Sequence, residues 1–137
     1  MVVFAGLMLM AIVMLGLQQY FWIRRRFIEL RLDAIHDLNW LLAEFLSNRI
    51  TDRAYSPDQQ FLHSWNAATA KARSLFPDRA IQPLQHIDVR ICQPPAGAVH
   101  AGPPCVRELI ELREAALRAL YRETGFRPPS GAARGSH

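Results

Sequence analysis

His86, Cys92, His100 and Cys105 are soft-metal ligand types that fall within twenty positions, around the proline-rich stretch CQPPAGAVHAGPPC. Zinc takes thiolate and imidazole tetrahedrally, and a loop can bend to supply them. No close Cys-x-x-Cys pair is present to nucleate a site, and the spacing fits no established zinc motif. The competing reading is two reduced cysteines at helix ends and two histidines in solvent. The expectation is therefore no metal and no cofactor, with these four residues as the candidates for a metal-binding alternative. For proton transfer, His36 adjoins Asp37 and His86 lies two positions from Asp88. His63 has no serine or cysteine nucleophile fixed beside it. A general acid or base needs a pocket and a perturbed pKa, and neither is legible here. The chain has no phosphate-cradling glycine loop and no His-Glu-x-x-His, so the expectation is a non-enzyme with no catalytic residues.

Three further residues break a pattern. Arg31 and Asn39 interrupt an apolar helical stripe. A buried polar group can fix register between helices; otherwise Arg31 carries its head to water and Asn39 sits at the edge of the stripe. The second reading is favoured for Arg31, and both stay open for Asn39. Trp40 is the reverse case, an aromatic among Asp33, His36, Asp37 and Glu44. Packing under the 50–60 segment is favoured for it, and a partner-contact anchor is the alternative.

The elements that must position these residues begin with an apolar run. Residues 1–17 carry no charged side chain, and Tyr20, Phe21, Trp22 and Ile23 extend the run past two glutamines. A helix to Ile23 would be roughly 34 Å long, enough to cross a hydrocarbon core of about 30 Å. Tyr20 and Trp22 fall where an interfacial aromatic belt is expected, and Arg24, Arg25 and Arg26 follow at once. A cleaved signal peptide would want a basic start and a small-x-small site instead. The expectation is a transmembrane helix over 1–23 in a bacterial inner membrane. By the positive-inside rule, the N-terminus lies outside and the following mass in the cytoplasm. After Arg26 the chain carries 13 basic and 12 acidic side chains, so the net +4 is largely this cluster. That argues for anionic lipid as the partner of the cluster and against nucleic acid.

Beyond the run, Phe27, Ile28, Leu32, Ile35, Leu38, Leu42, Phe45 and Leu46 recur at helical spacing, so the helix is expected to continue over 24–48. Ser56 predicts an N-cap, with Pro57 first in a helix over 57–76 and Gln59 completing a capping box. Its face is Phe61, Leu62, Trp65, Ala68, Ala72, Leu75 and Phe76. A helix over 79–91 follows, with Ile81, Leu84, Ile87 and Ile91; Pro83 is awkward there but is read in the opening turn, where it costs little because those amides lack partners. A last helix over 106–124 shows Leu109, Leu112, Ala116, Leu117 and Leu120. Gly125 is its C′ residue, with Phe126 as the accompanying apolar contact. Residues 127–137 read as a disordered tail. The expected architecture is all-α: the transmembrane helix runs on into a small antiparallel bundle over 24–126.

Phe61, Trp65, Ala72, Leu75, Phe76, Ile81, Leu84 and Ile87 form an aromatic and small-residue stripe, a Leu-Phe pair, a turn and an Ile/Leu helix. This stretch, 61–87, resembles a helical module found in uncharacterised bacterial single-pass membrane proteins. With the preceding anchor the likeness covers about two thirds of the chain, and Pro83 departs from it. The resemblance implies fold and location but no activity. Arginine far outnumbers lysine, which fits a GC-rich bacterium. The function expected is a membrane-tethered, non-catalytic interaction or scaffold module with a protein partner or a second copy. An accessory or assembly subunit of a larger membrane complex is the alternative.

Overall fold

The computed structural model describes residues 1–52, 55–92 and 106–126. Four helices are present, α1 Val2–Thr51, α2 Gln59–Leu75, α3 Asp78–Cys92 and α4 Val106–Thr124, and no strand occurs among the described residues. The chain divides into two compact units, residues 1–30 and the remainder from Arg31.

The first unit is the opening part of α1. From Val2 to Ile23 every large apolar side chain is exposed within the chain's own fold. The segment is long and apolar enough to cross a membrane. At its charged end Glu29 takes Arg25 at 3.2 Å and Arg26 at 3.6 Å, one turn away on the same face. Arg24 has no such partner among the described residues.

The second unit has a hydrophobic core of its own. Ile35, Leu38, Leu42, Phe45 and Leu46 of α1 are buried at the anticipated spacing, joined by Ala34 and Leu41. Trp65, Phe61 and Ala72 come from α2, Ile81, Leu84, Ile87 and Ile91 from α3, and Leu109, Ala116 and Leu120 from α4. Burying a large aliphatic or aromatic side chain contributes about 1.5–3 kcal/mol, so this face carries most of the driving force. Contacts between helices run in opposing order. Along α1, Arg31 meets Leu75 and Glu123, Asp33 and Asp37 meet Lys71, Asn39 meets Arg113, and Phe45 meets Phe61. Between α3 and α4, Arg79 meets Glu123 and Arg90 meets Glu108.

Several local expectations are corrected. α2 starts at Gln59, capped by Asp58, whose Oδ1 accepts the Phe61 amide at 2.7 Å. Ser56 and Pro57 therefore lie outside the helix. A carboxylate both satisfies a free amide and complements the positive end of the helix dipole, so Asp58 outcompetes the hydroxyl of Ser56. α2 closes at Leu75 because Phe76 precedes Pro77 and takes extended backbone, with φ −119 and ψ 148. Pro83 is the sixth residue of α3, beyond the opening turn. Gly125 adopts positive φ, at 77, as a C′ glycine does, and Phe126 beside it is 54% exposed.

Candidate functional site

The polar interruptions of α1 have defined roles. Arg31 is half-buried, not carried out to water. Its Nε and one terminal nitrogen donate to the carbonyl oxygens of Leu75 and Glu123, both at 2.9 Å. These carbonyls belong to the last turns of α2 and α4, where no intrahelical amide is available to them. Asn39 Oδ1 accepts from Arg113 of α4 at 2.6 Å, so of its two readings the interhelical bond is the one observed.

Trp40 does not pack under the 50–60 segment. From that segment Tyr55 packs instead on Phe45 in tilted fashion, with ring centroids 6.1 Å apart, while its carbonyl accepts from Arg49 at 2.6 Å. Trp40 is 62% exposed. It lines a groove of about 420 Å³ together with His36, Asp37 and Leu41 of α1 and Ser64, Ala67, Ala68 and Lys71 of α2. Small side chains on α2 open this groove. Where Leu or Phe stood at 67 and 68, the space beside Trp40 would be filled.

Lys71, the chain's one lysine, sets the electrostatics of the groove. Its Nζ donates to Asp33 Oδ2 at 2.6 Å and to Asp37 Oδ2 at 3.2 Å. The hydrogen bond and charge of Lys71 hold the Asp33 carboxyl below its ordinary value. Hydrogen bonds to Asp33 and Asp37 hold the Lys71 ammonium above its own. No donor among the described residues reaches Oδ1 of either aspartate. The arrangement can thus accept further hydrogen bonds from a cation, beside an exposed indole face.

The other anticipated sites are more scattered. Asp37 is engaged by Lys71, and Asp88 accepts the Trp65 indole N–H at 2.7 Å, so neither carboxylate is bonded to its neighbouring histidine. His36, His63 and His86 are exposed. Of the metal candidates, His86 and the exposed Cys92 lie on α3, while His100 and Cys105 fall outside the described residues. Among the described residues no group of three or more His, Cys, Asp or Glu could hold a metal ion. Burial, and then the charge of Asp88, raise the Cys92 thiol above its ordinary pKa, which makes it a poorer nucleophile at neutral pH. His86 also borders a smaller groove with Val89, Arg90, Glu108 and Leu112. Tyr20, Trp22, Arg24, Arg25 and Arg26, the anticipated membrane-interface residues, are all exposed.

Sequence reasoning did not select Lys71, Ser64 or Ala67. The available signal was a lone lysine and two small residues on the polar side of α2, opposite a helix rich in aspartate. No family model, no curated protein and no solved structure matches the chain.

Proposed function

We propose that this chain is a membrane-tethered, non-catalytic helical interaction module. One observation carries the reading. Val2–Ile23 is apolar and wholly exposed, while the unit from Arg31 completes a core without it. So large an apolar surface left in water would drive aggregation, and a bilayer is the environment that removes the cost. On this reading Tyr20 and Trp22 sit at headgroup level. Arg24–Arg26 hold the side that follows them in the cytoplasm of a bacterial cell. The opposing order of interhelical pairs supports an antiparallel bundle for the second unit. Trp40 and its groove supply that bundle's contact surface, since tryptophan is enriched among the anchors of protein interfaces.

Two assays on the same cells test the tether and its direction. Alkaline carbonate should leave the protein in the membrane pellet with residues 1–23 intact. With Cys105→Ser, the exposed Cys92 is the remaining thiol, and an impermeant maleimide should label it only in inverted vesicles. Release by carbonate, or a mature chain starting beyond residue 15, refutes the tether. Labelling from the outside of intact spheroplasts reverses the orientation.

A further inference from the structure

The groove beside Trp40 is also charged in a way that selects its occupant. Its floor is apolar, formed by Leu41, Ala67 and Ala68. Its rim carries Asp33 and Asp37 against the single ammonium of Lys71, and Glu44 stands exposed one turn beyond Trp40 on α1. The aspartate side chains are 61% and 46% exposed and the lysine between them only 35%. Counting Glu44, three carboxylates face one ammonium here, so the rim is net negative. Trp40 lies between Asp37 and Glu44 along the helix, with its own surface 62% open. An indole face attracts a cation through its quadrupole, and flanking carboxylates add charge-assisted hydrogen bonds. The same field repels phosphate, which disfavours nucleic acid and anionic headgroups as occupants.

We propose that this groove docks a cationic amphipathic segment of another protein. An arginine or lysine head rests on the Trp40 indole between the carboxylates of Asp37 and Glu44, and a neighbouring apolar side chain sits on Ala67 and Ala68. The α1 edge from His36 to Trp40 is about one helical turn. It therefore suits one apolar anchor with cations three or four positions away, the spacing of one helix face. Arginine fits best, because its planar guanidinium can stack on the ring and bond a carboxylate together. This assignment rests on the interaction-module reading and adds the chemistry of the partner to it.

The test places a photo-reactive benzoylphenylalanine at Ala70, exposed one turn beyond Ala67 on α2 and outside the groove lining, in the full-length protein in cells. The cross-linked peptides are then sequenced. The expected adduct is a segment of another protein with Arg or Lys three or four positions from the attachment. Its yield should fall about tenfold or more with Trp40→Ala, as loss of an interface anchor does. Asp33→Asn with Asp37→Asn should lower it as well, and so should high salt. An adduct with lipid, with a second copy of this chain, or with a segment lacking basic residues overturns the proposal. So does a yield unchanged by Trp40→Ala, or no adduct from protein with wild-type helical circular dichroism. Carbonate extraction of the same cells separates the two readings. Soluble protein that still gives the cationic adduct removes the tether and keeps the docking site. Membrane-held protein without it does the opposite.

Discussion

Arg31 on α1 donates its Nε–H to the carbonyl oxygen of Leu75, the final residue of α2, at 2.9 Å. The same guanidinium reaches the Glu123 carbonyl near the end of α4 and lies 5.2 Å over the Phe76 ring. One cation therefore serves the negative ends of two helices, where carbonyls have no intrahelical donors. Arg31→Ala should destabilise the folded unit by about 2–4 kcal/mol, since hydrogen bonds to a charged group contribute about 1.5–3 kcal/mol each and overlap here. Arg31→Lys should recover only part, because a single ammonium cannot span both carbonyls as a planar fork does. Urea unfolding followed by circular dichroism measures both, and an Arg31→Ala midpoint equal to wild type would show the contact to be idle.

Trp65 is fully buried, and its indole N–H donates to Asp88 at 2.7 Å. Trp65→Ala should cost about 3–5 kcal/mol. Trp65→Phe keeps most of the volume but strips the half-buried Asp88 of its donor, for about 1–3 kcal/mol. His63, exposed two residues earlier on α2 and so on its far side, should tolerate Ala within about 0.5 kcal/mol. Similar losses at His63 and Trp65 would mean that the buried face of α2 is misassigned.

The Lys71 bridge predicts a pH profile. Asp33 is held below its ordinary value of 3.8, so its contribution is present above that value and disappears as pH falls through the lowered pKa. Lys71 is held above its ordinary 10.5, so its contribution is present below that value and disappears as pH rises through the raised pKa. The difference in Tm between wild type and Lys71→Met should therefore be level between these limits and shrink at both ends. Both groups are solvent-accessible, so the plateau should be small and should diminish in high salt. A difference that persists unchanged into strong acid would assign the effect of Lys71 to packing.

Pro83 interrupts α3 beyond its opening turn, leaving the Arg79 carbonyl without the amide that a helix would supply four residues on. Pro83→Ala should restore that bond and raise stability by about 1–2 kcal/mol, less than the full helix-interior penalty because proline also restricts the unfolded chain. A lower urea midpoint in Pro83→Ala would show that the ring, half-buried here, contributes more by packing than it removes.

For the apolar segment, Leu9→Arg should impair membrane insertion, since a charge at mid-span costs about 2.5–3.5 kcal/mol. The share of protein resisting carbonate should fall relative to a Leu9→Ile control. Equal retention of both would indicate that residues 1–23 do not hold the protein in the bilayer.

Helical periodicity made the buried faces legible in the sequence. Ile35, Leu38, Trp65, Leu84 and Leu120 recur at spacings that bring them to one side of their helices, and each is buried. That information is local, because residues three and four apart share a helix face whatever the helix later meets. The apolar run of residues 1–23 was legible for the same reason, as a property of contiguous chain. The partners of polar groups were not. Arg31 lies 44 residues from Leu75 and 92 from Glu123, Lys71 lies 38 from Asp33, and Arg113 lies 74 from Asn39. Nothing in the spacing along one helix states which residue of another will stand opposite, since that depends on how the apolar faces interlock. Trp40 shows the consequence. The sequence marks it as an aromatic on a charged face, but what stands opposite it comes from another helix: the small side chains of α2 leave a groove beside the indole. Packing of side chains from separate elements decided that, and no spacing along α1 could state it.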